Sequence, residues 1–206
     1  MAVKNHVLTS LFITALLAMP LTGHTQEAGS NGDFKFVAAA GITFGGDNLT
    51  KVRYYDDDDD YLFSDNLEAG GLIYLGGGGN YRFANSPISL QGLLAYHFDS
   101  VDADNGDASI DRWVFDLTAF YHIGDHHRLG LGLTRHFSPH FEQKIDSQKV
   151  KVDFDDATGF LVEYNYLFTE SAGIGLRYTD IEYEAPEILY DSVNASNVGL
   201  FVYGLF

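Results

Sequence analysis

Apolar and polar residues alternate with a period of two in eight segments of this chain, the mark of β-strands whose successive side chains point to opposite faces. The segments are FKFVAAAGITFG from Phe34, GGLIYLGGGGNYRF from Gly70, ISLQGLLAYHFD from Ile88 and IDRWVFDLTAFYHI from Ile110. They continue with HRLGLGLTRHFS from His127, ATGFLVEYNYLF from Ala157, AGIGLRYTDIEYE from Ala172 and the closing ASNVGLFVYGLF. None carries a sustained helical repeat, so the pattern predicts an all-β fold. The links between segments alternate strictly in length, starting with a long one. ANSP, GDH and TES are short, whereas the regions around YYDDDDDYLF, SVDADNGDAS, PHFEQKIDSQKVKVD and APEILYDSVN are long. An antiparallel up-and-down sheet built this way puts every long loop at one end and both chain ends at the other.

The two faces of the strands differ sharply. One set runs through Phe36, Ile42 and Phe44, then Ile73 and Leu75, Leu90 and Leu94, Phe115 and Leu117, Leu129 to Leu133 in steps of two, Phe160 and Val162, Leu176, and Leu200, with no charge before Arg135. The complementary set holds Lys35, Thr43, Asn80, Arg82, Gln91, His97, Asp116, Thr118, Arg128, Thr134, Glu163, Asn165 and Arg177 among many glycines. A soluble barrel with the apolar set inside would need an exterior rich in Lys and Glu, and the polar set is mostly small residues with isolated charges. Aromatics gather toward strand ends, as at Tyr81 and Phe83, Tyr96 and Phe98, and Tyr166 and Phe168, where membrane girdles lie. Most segments also reach the roughly 9 to 11 residues that a tilted strand needs to cross a bilayer. The reading is therefore an eight-stranded antiparallel up-and-down transmembrane β-barrel over residues 34–206, with four longer extracellular loops and short periplasmic turns.

Each unsatisfied backbone group in lipid costs several kcal/mol, so the last strand of such a barrel must pair with the first. That accounts for a chain that stops on Phe206 within a strand pattern. In alternation, loop asymmetry and this final segment the chain resembles the small eight-stranded outer-membrane β-barrels of the OmpA and OmpX type. The resemblance implies a cell outer-membrane location in a Gram-negative envelope, contact with membrane lipid and lipopolysaccharide, and a monomer. It also implies a barrel-closing assembly signal at Val198, Leu200, Val202 and Phe206, addressed to the outer-membrane assembly machinery. It carries over no active site and no cofactor. At the other end, Lys4 precedes an apolar run from Val7 to Met19 that is broken by Pro20. The run is shorter than the roughly 20 residues of a spanning helix, so residues 1–25 are read as a signal peptide and 26–33 as a short periplasmic segment.

Composition narrows the choices. A formal net charge of -17 argues against nucleic acid as a partner. The absence of cysteine removes disulfide scaffolds, thiolate metal sites and catalytic thiols.

Four features carry candidate chemistry. Gln91, Asp116, Glu163 and Arg177 face the predicted lumen, where charges persist only if paired. They form either a polar plug in an interior that eight strands leave just wide enough for side chains, or part of a narrow pore or passage for small solutes or apolar molecules. Asp56, Asp57, Asp58, Asp59 and Asp60, with Asp102, Asp104 and Asp107, load the outer loops with carboxylates that suit Ca²⁺ or Mg²⁺. The stretch DADNGDASID breaks the EF-hand rule, because aligning Gly106 with its glycine leaves Val101 and Ala103 at carboxylate positions. In RHFSPH, His136 and Ser138 fall on one face of an uninterrupted strand and resemble the H-x-S pair of lipid A deacylase barrels, the one hydrolase reading open to this chain. Pro139 stands where that family has asparagine, and the pair lies on the fifth strand rather than the penultimate one. The run Gly76 to Gly79 lacks the lysine and helix of a phosphate-binding loop and is read as relief of crowding or as allowance for strong bending in a strand.

Overall fold

The computed structural model describes residues 32–55, 61–103, 106–145, 148–185 and 192–206. The segment read as a signal peptide, Asp56 to Asp60 and Asp104 lie outside the described residues, as do the side chains of 51–66 and of 102–103. Among the described residues thirteen strands follow in chain order. These are β1 Asp33–Phe44, β2 Asn48–Tyr55, β3 Tyr61–Glu68, β4 Ile73–Arg82, β5 Ile88–Ala103, β6 Gly106–Ile123 and β7 His127–Ile145. After them come β8 Gln148–Asp153, β9 Ala157–Thr169, β10 Ala172–Asp180, β11 Glu182–Tyr183, β12 Val193–Asn194 and β13 Asn197–Leu205.

Eight of these strands close a cylinder. Hydrogen-bonded neighbours run β6, β5, β4, β1, β13, β10, β9, β7, and a further β6 to β7 pairing joins the ends. Every pairing is antiparallel, and first meets last from Val37 opposite Leu205 to Phe44 opposite Val198. Phe36 and Phe206 exchange both backbone hydrogen bonds at 2.9 Å, which carries the seam to its end. No edge of the ring is left for lipid, as the cost of bare backbone groups requires.

The eight segments read from alternation correspond to the eight barrel strands, and the faces fall as expected. Phe36, Leu94, Leu131, Phe160, Leu176 and Leu200 are exposed on the outer wall, while Thr43, Gln91, Asp116, Thr134, Glu163 and Arg177 are buried inside. Tyr96 packs on Trp113 at 5.3 Å near one rim, and Tyr166 on Phe168 at 5.6 Å near the other. A wall this apolar would be unstable in water; around it belongs hydrocarbon.

The long connections differ from the expected loops. β5 and β6 continue as a paired ladder to Ala103 opposite Gly106, and β7 continues beyond the ring to pair with β8 from His140 to Ile145. Hairpins β2 with β3 and β11 with β12 stand beside them. The cause is that alternation persists: Val101, Ala108, Ile110, Phe141 and Val152 still point inward and join Leu67, Phe154, Ile181 and Tyr183 in an apolar core beyond the membrane wall. A second core, inside the wall, gathers Val37, Tyr74, Leu93, Val114, Phe201, Tyr203 and Leu205. Polar lumen residues lie between and among the two.

At two glycines of β4 the strands approach so closely that a side chain would not fit. A Cβ on Gly78 would run into the carbonyl of Gly92 on β5, and one on Gly76 would lie 2.8 Å from the Ala95 Cβ. Gly77, on the outer face, would meet nothing nearer than the Val37 oxygen at 3.6 Å. Gly76 and Gly78 thus serve the β4 to β5 contact, whereas a Cβ on Gly79 would meet the Phe34 ring of β1.

Candidate functional site: a charged layer across the barrel interior

Arg177 on β10 faces Glu163 on β9 directly in register. Its Nε donates to Glu163 Oε2 at 2.7 Å, and its Nη1 donates to Asp116 Oδ2 at 2.7 Å. β10 and β6 are not neighbours in the ring, so the second ion pair crosses the interior. Tyr74 on β4 donates to the same Asp116 oxygen at 2.7 Å. Tyr203 on β13 donates to Glu163 Oε1 at 2.8 Å, and Asn165 does so at 2.7 Å. The guanidinium of Arg177 lies 4.4 Å from the centre of the Phe201 ring and 5.3 Å from that of Tyr74, a cation-π setting. Asp116 and Glu163 are 1% exposed and Arg177 3%. Charges this dry are tolerated because each is paired and further hydrogen-bonded.

Toward the extracellular side a second cluster follows. His97 Nδ1 accepts from Arg112 Nη2 at 2.9 Å, which leaves its other nitrogen to donate to Thr43 Oγ1 at 2.7 Å, and Thr43 in turn donates to the Gly71 carbonyl at 2.6 Å. Arg112 also donates to the Gly70 carbonyl at 2.7 Å. Gly71 has a φ of +68°, and a Cβ there would lie 2.9 Å from Arg112 Nη2, so glycine serves both turn and contact. The hydroxyl of Tyr183 meets His136 Nδ1 at 2.5 Å under the outer apolar core. Burial among these side chains pushes the Tyr183 phenol up to about 12.

Of the lumen residues read from sequence, Asp116, Glu163 and Arg177 are brought together. Gln91 is buried in the same interior, but its amide makes no hydrogen bond with any described group. Tyr74, Tyr203 and Arg112 were missed as members of these layers, and Arg128, already read on the polar face, was not singled out. Arg128 is fully buried, with its guanidinium 4.1 Å from the Phe120 ring centre. Their parity along the strands, the same as that of Asp116 or Arg177, was the available signal.

Solved structures now bear on the fold. Ail, the attachment invasion locus protein of Yersinia pestis, matches with a TM-score of 0.52 at 11% identity, over 85% of this chain and 98% of that one. Ail in complex with the heparin analogue sucrose octasulfate gives 0.51 at 13% identity, again over 85% and 98%. Neisserial surface protein A gives 0.51 at 12% identity, over 84% of this chain and 97% of that one. The fold is that of the small outer-membrane β-barrels. No protein-family model matches the sequence, and no curated protein does either.

Within this outer-membrane barrel the hydrolase reading fails on geometry. Asp111 pairs with His140 and Trp113 with Phe137, so Arg112 faces two residues, Ser138 and Pro139. This bulge reverses the alternation: His136 stays buried in the interior, whereas Ser138, at a φ of +43°, is exposed outside. The two are therefore not on one face, and the Ser138 amide donates to Asp156 Oδ1 at 2.9 Å. The sequence reading assumed an unbroken period of two; the extra residue is what overturned it.

The aspartates of the outer loops lie mostly outside the described side chains. Of the eight aspartates read as cation contacts, Asp107 alone has a described side chain, exposed and opposite Lys144 across the β6 to β7 ladder. Among the described residues no group of three or more His, Asp or Glu is placed to hold a metal. Nearby, Glu142 receives Lys149 at 2.5 Å and Lys151 at 2.9 Å. Hydrogen bonds from Lys149, then Lys151, bring its carboxyl down to about 2.

Proposed function

We propose that this protein is an integral outer-membrane barrel with a closed lumen, acting at the cell surface in a structural or contact role and not as a channel. One observation carries the reading. The Arg177 to Asp116 ion pair spans the interior between non-adjacent strands, Glu163 holds Arg177 from the neighbouring strand, and an apolar core stands above them. An ion entering this lumen would have to displace paired charges at 2.7 Å and then cross hydrocarbon-like packing.

The extracellular extensions would be the working part. Their aspartates, joined with Ca²⁺ or Mg²⁺, would bridge loosely to lipopolysaccharide phosphates rather than build a closed metal cage. The heparin analogue seen with Ail is a polyanion, and a chain of formal net charge -17 is a poor partner for one. A ring without a free edge favours a monomer. β13, with Val198, Leu200, Val202 and Phe206 on its outer face, would be the segment engaged by the assembly machinery.

Purified barrel in planar lipid bilayers tests the reading. The expected record is silent at physiological salt. Reproducible discrete openings that change with Glu163→Ala would overturn it in favour of a passage protein.

A further inference from the structure

Above the charged layer lies an interior cavity of about 10 Å³, lined among others by Thr43, Asp116, Thr134, His136, Arg177 and Asn197. Three of these residues carry a buried polar atom without a hydrogen-bond partner: Asp116 Oδ1, Thr134 Oγ1 and Arg177 Nη2. All three residues are at least nine-tenths buried. Asp116 and Thr134 stand opposite each other across the β6 to β7 ladder, and Arg177 reaches Asp116 from β10. Leaving such groups unpaired forfeits the solvation they would have in water, so three around one cavity call for a shared partner.

Their chemistry selects it. A carboxylate oxygen only accepts, a guanidinium nitrogen only donates, and a threonine hydroxyl does either. A cation would be repelled by Arg177 and an anion by Asp116. A neutral group that both donates and accepts satisfies all three. A buried water typically makes about 3 hydrogen bonds and needs roughly 10 to 15 Å³, which the cavity volume matches. We infer that this cavity is a binding site for one resident water, which joins β6, β7 and β10 through Asp116, Thr134 and Arg177.

The inference stands apart from whether the barrel conducts. It is tested on the full barrel refolded in detergent micelles by oxygen-17 relaxation dispersion, which counts long-lived waters. Thr134→Val is expected to hold one fewer than the parent, and Thr134→Ser the same number. An unchanged count in Thr134→Val, or a loss in Thr134→Ser, overturns the site. Should Thr134→Val fail to refold, a high-resolution crystal structure of the unaltered protein decides. A density peak within hydrogen-bond reach of all three atoms supports the site. Its absence, or an anomalous signal there after exchange into bromide or rubidium salt, overturns it.

Discussion

Arg177 is the residue on which the interior turns. It holds two carboxylates on different strands and is shielded by Phe201 and Tyr74. Removing one partner of a buried pair strands the other charge in a dry site, at a cost of about 3 to 5 kcal/mol. Arg177→Ala is therefore expected to lower unfolding stability by that amount, measured by urea titration of the refolded barrel. The double change to Arg177→Met with Glu163→Gln should recover part of it, because it leaves fewer unmatched charges. The pairing of Arg177 with Glu163 was legible in the sequence, since both lie on the polar face of adjacent strands. The contact with Asp116 was not, because it crosses the ring, and sequence spacing has no measure of distance through a lumen. Tyr74 and Tyr203 were hidden for another reason. Aromatic rings on this chain mostly mark the lipid wall, and only parity showed that these two turn inward.

At the level of elements, the strands were readable and their departures were not. Period-two alternation located all eight barrel strands, because a wall with lipid on one side and a polar lumen on the other enforces it at every residue. The bulge at Ser138 and Pro139 broke the same rule by a single residue and moved a candidate serine to the outside. The extracellular extensions were read as loops because their inward residues are fewer and acidic stretches separate them. β4 gives a clean test of element packing. Gly78→Ala is expected to cost about 1 to 3 kcal/mol, the range for overpacking, through collision with the Gly92 carbonyl. Gly77→Ala, one position along and facing outward, should leave stability nearly unchanged. Comparing the folded fractions of the two by heat-modifiable gel mobility would check the assignment of faces in this strand.

For the whole molecule, the defining fact is that greasy side chains surround a polar interior. A charge placed on the wall must then enter hydrocarbon. Leu176→Arg, next to Arg177 but on the other face and 49% exposed, should destabilise the barrel in lipid by about 2 to 4 kcal/mol. Equilibrium unfolding in vesicles would measure this, and a neutral effect would contradict the orientation. The seam between β1 and β13 has a further consequence in time. These partners stand at opposite ends of the described chain, so every intervening hairpin can zip up while the cylinder gapes. Contacts between remote segments form slowly. Until those two strands meet, the sheet presents two raw flanks, each a row of unpaired backbone groups, to whatever surrounds it.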